Sequence, residues 1–370
     1  MIGIVGILGI VLLLIILWDV FETMVLPRRV RRRIRLTRLF YTITWQFWSA
    51  LARRMHHDDR RENFLSWYGP LSLILLIGVW ATTLTLSFAM IHWGFGSKLN
   101  GPDGPEAGFG AAFYLSGSTL FTLGIGDMTP RSTLGRALTA AEAGTGIAFL
   151  ALVIGYLPVI YQAFSRRETN ISLLDARAGS PPSAGELLRR SSEDNSADAL
   201  ISFLHDWERW SSELLESHLS YPVLAYYRSQ HDRESWLAAL TMLLDVCALV
   251  LAGVEGVPTR PARLAFAMAR HAAVDLSQVF GTPPHPPSHN RLPAADLARL
   301  REMLAEAGLP LREGPAAEQK LTDVRAKYEP YVNALAEYLL VALPDWLPQD
   351  GATDDWQTSV WEHASTAPIV

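Results

Sequence analysis

The chain has 370 residues, 49% hydrophobic and 19% charged, with a formal net charge of -5. Its one cysteine, Cys247, excludes an intramolecular disulfide and a metal-thiolate cluster, and its apolar neighbours favour a buried structural thiol. The averages hide a division that leaves the net charge uninformative about partners: residues 1–165 hold nearly all the long apolar runs, and 170–370 read as amphipathic with a polar surface.

Residues 2–26 are apolar except for Asp19, Glu22 and Thr23, and about 20 apolar residues are enough to cross a bilayer. A cleaved signal peptide would carry its basic residues before the apolar run. Here they follow it, in Pro27-Arg28-Arg29-Val30-Arg31-Arg32-Arg33, so 1–27 reads as a retained span ending in the cytoplasm. Asp19 and Glu22 read as interfacial acids balanced by those arginines. Residues 28–67 form a basic segment with eleven arginines up to Arg61 around the aromatic, amphipathic stretch 36–48. Such a helix suits a membrane surface with anionic lipid, and the flanking spans favour lipid over nucleic acid. Adjacent residues point different ways on a helix, so His56-His57-Asp58-Asp59 makes a poor metal site.

A second span covers 68–95, opening on Gly69-Pro70 and closing near His92 and Trp93. The Gly/Pro loop that follows holds few basic residues, as an outer loop should. The apolar segment 109–121 is too short to span and reads as a re-entrant helix. The third span, 132–165, closes on Arg166-Arg167. The termini of the three spans then alternate consistently: inside at 27, outside at 93, inside at 165.

Between the last two segments lies Thr122-Leu123-Gly124-Ile125-Gly126-Asp127. A dehydrated cation needs substitute oxygens, which rings of backbone carbonyls supply. Turning successive carbonyls to one axis requires left-handed backbone at alternate positions, which glycine accepts and other residues resist. This hexapeptide resembles the selectivity filter of tetrameric potassium channels, usually Thr-Val-Gly-Tyr-Gly-Asp. The resemblance is to bacterial single-pore-loop channels built on a module of two spans and a pore loop. Ile125 stands where the family has an aromatic, closer to the second-pore filters of two-pore-domain channels.

The resemblance implies K+ sites at the carbonyls of Thr122, Leu123, Gly124 and Ile125. It implies packing of the Leu123 and Ile125 side chains behind the filter, and places Asp127 at the outer mouth. Tyr114, Ser118, Thr119 and Glu142 become filter-supporting residues. Glu142 has two readings, concentrating cations in the cavity or hydrogen-bonding behind the filter. Gly144 and Gly146 are hinge candidates or small residues for close helix packing, and Pro158 would kink the third span near its inner end. The hexapeptide occurs once, so the resemblance implies a homotetramer, each chain giving one wall of the pore.

Residues 168–195, with Gly179-Ser-Pro-Pro-Ser-Ala-Gly185, read as a linker, 196–347 as an all-α cytoplasmic domain, and 348–370 as a loose acidic tail in which Trp356 and Trp361 could dock. Helices are expected over 197–219, 221–230, 234–252, 261–280, 294–307 and 316–343. The 234–252 segment reads as a buried core helix rather than a fourth span. His205-Asp206-x-Glu208 and Glu216-x-His218 could gather a metal, but solvated helix faces account for them better. No glycine-rich nucleotide fingerprint follows a strand, so no organic cofactor is expected, and the ligand of this half is unknown.

The expected fold class is therefore an all-α membrane protein: a potassium-channel-like pore module at 68–167, preceded by an extra span and followed by a helical cytoplasmic domain. The expected function is passive K+ conduction across the plasma membrane, with the helical half as its expected regulator and a weakly selective monovalent cation channel as the alternative. A membrane-anchored enzyme or receptor is the different-class alternative. It needs only one span and no re-entrant loop, and no catalytic constellation supports it.

Overall fold

A computed structural model describes residues 2–26, 35–56, 58–100, 108–192, 197–229, 234–287, 289–349, 351 and 354–357. Arg28–Arg33, most of the outer Gly/Pro loop and Trp361 lie outside the described residues. The fold is all-α and divides into two compact units, Met1–Gln162 and Ala163–Val370.

The first unit is built from α1 (Ile2–Val20), α2 (Leu36–Ala52), α3 (Asp58–Ser66), α4 (Tyr68–Gly94), α5 (Phe109–Leu120) and most of α6 (Thr133–Ser172). Among the described residues, three helical stretches are long and apolar enough to cross a membrane: Gly3–Val25, Asp59–Gly94 and Thr133–Ala178. Small residues let α1 and α4 approach closely, since a Cβ on Gly9 would stand 2.8 Å from the Ser87 carbonyl oxygen. Their seam is a core of Ile16, Val20, Leu76, Trp80 and Leu84, which Leu120 at the end of α5 joins. Two-residue strands, β1 (Leu99–Asn100) and β2 (Thr129–Pro130), pair antiparallel and close the loops flanking α5.

Among the described residues Asp19 is buried, accepting from Thr37 Oγ1 at 2.6 Å and Trp80 Nε1 at 2.9 Å; the arginines expected to balance it lie outside them. One carboxylate thus ties the ends of α1 and α2 to the middle of α4. Glu22 does pair with an arginine, Arg35, at 3.4 Å. The α2 helix is amphipathic as expected, but Trp45 is buried against the Tyr68 ring at 4.8 Å. The outward stripe is aliphatic and aromatic: Leu36, Leu39, Ile43, Phe47 and Leu51.

In the second unit α7 (Asp175–Ala178), α8 (Ala184–Ser191), α9 (Asp198–Ser220), α10 (Trp236–Ala252), α11 (Thr259–Phe280), α12 (Ala294–Glu306), α13 (Pro315–Arg325) and α14 (Glu329–Leu339) follow the last turns of α6. The central element is α10, buried along its length and packed by α8, α11, α13 and α14. Its Asp245 meets Arg291 in a two-pronged pair at 2.7 and 2.9 Å and accepts from the Tyr328 hydroxyl. Burial opposes the Arg291 charge, but Asp245 and Glu329 outweigh it and raise its pKa above the ordinary value. Burial pushes the neighbouring Cys247 thiol up, leaving it little thiolate.

Four expectations for this half need correction. The expected linker 168–195 is largely helical among its described residues: α6 runs to Ser172, and α8 buries Leu187 and Leu188. The helix expected over 316–343 is two, because Pro330 stands in the first turn of a new helix. Over 221–230 only a 3-10 turn, Pro222–Tyr226, forms. His218 is not on a solvated face; it is buried against the Trp236 ring and holds the Leu214 carbonyl through Nδ1 at 2.8 Å. Beside it Arg167, also buried, donates to the Leu224 and Tyr227 carbonyls at 2.8 Å each. Among its described residues the tail is tied down at Asp354, which pairs with Arg190 at 2.8 Å, and at Trp356, whose backbone N–H donates to Asp175 Oδ2 at 2.7 Å.

Candidate ion pore

The helix α5 ends at Leu120, and the next residues leave helical geometry in a fixed rhythm. Thr122, Gly124 and Gly126 take φ of 59°, 57° and 83°, with the residues between them outside the left-handed region. Glycine adopts this conformation freely. Thr122 is β-branched and pays strain of about 1–3 kcal/mol, which persists only where the surroundings enforce it.

That enforcement comes from α5. The Ser118 carbonyl accepts from the Leu123 N–H at 2.8 Å and the Gly124 N–H at 3.3 Å, and the Thr119 carbonyl accepts from Thr122 N–H at 3.0 Å. At the far end the Tyr114 hydroxyl donates to Asp127 Oδ2 at 3.0 Å. The helix therefore grips 122–127 at both ends, by backbone carbonyls at the start and a phenol at the finish. Tyr114, Ser118 and Thr119 are brought to the hexapeptide. Leu123 and Ile125 are 66% and 60% exposed, so the described residues of one chain leave most of each side chain uncovered.

Glu142, by contrast, is wholly buried. Its Oε2 lies 3.3 Å from Nε2 of His92, and Ser116 of α5 stands beside it. A cavity-lining side chain would be open in a single chain, so this placement favours a role inside the helix packing. One turn along α6, a Cβ on Gly146 would run into the Leu120 backbone, its carbonyl carbon at 2.8 Å. Gly146 is thus a close-packing residue against the end of α5. A Cβ on Gly144 would meet nothing within 4 Å. Pro158 lies inside α6, which continues past it to Ser172 as one helix.

Sequence reasoning placed His92 at the outer interface and gave Ser116 no role. The available signal was the presence of two ionisable residues, His92 and Glu142, inside apolar segments, where each needs a partner.

Residues 73–162 match the family described as Ion channel. The matched stretch holds α4 from Leu73, the whole of α5, the hexapeptide and α6 as far as Gln162. The similarity to an ion-channel family thus lies within the membrane unit. Over 239 residues the chain is 22% identical to the Uncharacterized membrane protein YdjJ of Bacillus subtilis (strain 168), covering 64% of this chain and 69% of that protein. No solved structure matches.

Proposed function

We propose that the chain is one subunit of a homotetrameric, K+-selective channel of the plasma membrane, conducting passively through carbonyls of Thr122, Leu123, Gly124 and Ile125. The observation that carries this reading is the alternation of left-handed backbone at Thr122, Gly124 and Gly126. Such alternation can turn successive carbonyls toward one axis, where they replace the hydration shell of a dehydrated cation. The exposure of Leu123 and Ile125 supports assembly, because apolar side chains next to a pore gain cover only from neighbouring subunits. The C-terminal end of α5 meets the start of the filter and presents the negative end of its dipole to an incoming cation. Ile125 contributes no phenol, so filter rigidity rests on Tyr114–Asp127 and on the packing of α5.

The outward stripe of α2, with Arg35 and Arg38 near one end and Arg53 and Arg54 near the other, supports contact with anionic lipid. The all-α second unit is the proposed cytoplasmic regulatory domain, and α6 is the element that enters it.

Purified protein in liposomes tests the core of this reading. K+ efflux is expected from wild type and none from Gly124→Asp, with both proteins migrating as tetramers. K+ flux that survives Gly124→Asp, or a monomeric conducting species, overturns it.

A further inference from the structure

We infer that His92 is a positioning residue of the filter, acting through Glu142 and the pore helix α5. The inference rests on the filter reading above and assigns the pore a buried polar tie that comes from outside the loop itself.

Three helices meet at this tie. His92 belongs to α4, Glu142 to α6 and Ser116 to α5, and each is at most 1% exposed. Ser116 lies two residues before Ser118, whose carbonyl holds the start of the filter. Glu142 lies one helical turn before Gly146, which rests on Leu120 at the end of the same helix. The imidazole is fixed on its other side, with Nδ1 2.9 Å from the Ser97 hydroxyl just beyond α4. That leaves Nε2 for Glu142 at 3.3 Å.

Electrostatics makes the contact directional. Nε2, both Glu142 oxygens and the Ser116 hydroxyl are closed off from bulk solvent and have no aligned hydrogen-bond partner among the described residues. In a dry setting a carboxylate is strongly disfavoured unless a donor or a positive charge faces it. His92 faces it, so any slide of α4 against α6 separates the pair and is resisted. Leucines of similar volume would fill the space, but they tolerate sliding. A packing role and a positioning role therefore differ in what an apolar pair can replace.

The experiment measures the K+/Na+ permeability ratio and the tetramer yield of full-length channels in planar bilayers. His92→Leu/Glu142→Leu is expected to assemble and to lower the ratio roughly tenfold, within the range that remote packed residues exert. His92→Gln, which still offers an N–H to Glu142, is expected to hold the ratio within about threefold by the same reasoning. Should the double variant fail to assemble, Glu142→Gln keeps the shape without the charge and is expected to lower the ratio as well. An unchanged ratio in whichever of these two variants assembles overturns the inference. Gly124→Asp, run alongside, separates the two levels. If it silences the channel while the tie variants leave the ratio intact, only the positioning role fails. If it still conducts K+, the filter reading fails.

Discussion

Glu142 in the membrane unit and Asp245 in the helical unit are both fully buried carboxylates on apolar helices, yet they are treated differently. Asp245 receives two guanidinium N–H groups and a phenol, so its charge is answered from several sides within one core. Glu142 has one facing imidazole and no aligned bond. The same contrast holds around them: α10 is covered along its length by its own chain, whereas Leu123 and Ile125 lie bare. The helical unit closes on itself. In the proposed tetramer, other copies of the chain would cover Leu123 and Ile125.

The contrast is most easily broken at Asp245. Asp245→Ala leaves Arg291 buried without its main partner, and we expect a loss of about 3–5 kcal/mol in the stability of the helical unit. Hydrogen exchange across α10 in the full-length protein measures it. Channel selectivity should be unaffected, and a protection pattern like that of wild type would mean that the network is dispensable.

A second comparison lies within α6. Gly146→Ala pushes a methyl group into the Leu120 backbone, and overpacking of this kind costs about 1–3 kcal/mol. We expect reduced thermal stability and reduced K+ flux. Gly144→Ala meets nothing and should be neutral or stabilising by up to about 1 kcal/mol through helix propensity. If Gly144→Ala nevertheless alters open probability with stability intact, Gly144 is the hinge. If Gly146→Ala is silent in both assays, the close approach of α5 and α6 is unimportant.

The smallest expected effect concerns Glu234 in the helical unit, whose pKa is raised to about 7 by burial first and then by the Asp175, Asp355 and Glu168 carboxylates. The unfolded chain holds it near the ordinary value of 4.5. A raised folded value means that its stabilising contribution is present below the unfolded value and is lost as pH rises through about 7. Wild-type stability should therefore decline between pH 5 and pH 8 by more than that of Glu234→Gln, as read from melting temperatures. Parallel profiles for the two proteins would contradict this.

Much of this could be read from residues alone where a local rule decides. Left-handed backbone at Gly124 and Gly126 is legible because only glycine takes it cheaply, and the three long apolar segments are legible from length. Thr122 is not, since no local rule puts a β-branched residue there; the hydrogen bonds from α5 do. The partner of Glu142 was hidden for the same reason, because His92 lies fifty residues away and only packing brings them together. The misreading of 168–195 was avoidable. Ser183 and Glu186 have the spacing of a capping box, and the Ser183 hydroxyl accepts from the Glu186 N–H at 3.3 Å, so the pair announces α8 behind the Pro-Pro punctuation. The Trp80 and Thr37 partners of Asp19 were not legible either, because only packing brings them to it.

The central claim is that carbonyls of 122–125 form a K+-selective path. Its most direct test is the reversal potential of the wild-type channel in a planar bilayer with K+ on one side and Na+ on the other. A potential displaced strongly toward the K+ equilibrium value, absent in Gly124→Asp, is the predicted result. A reversal potential near zero would contradict K+ selectivity and leave a channel that does not distinguish the two ions.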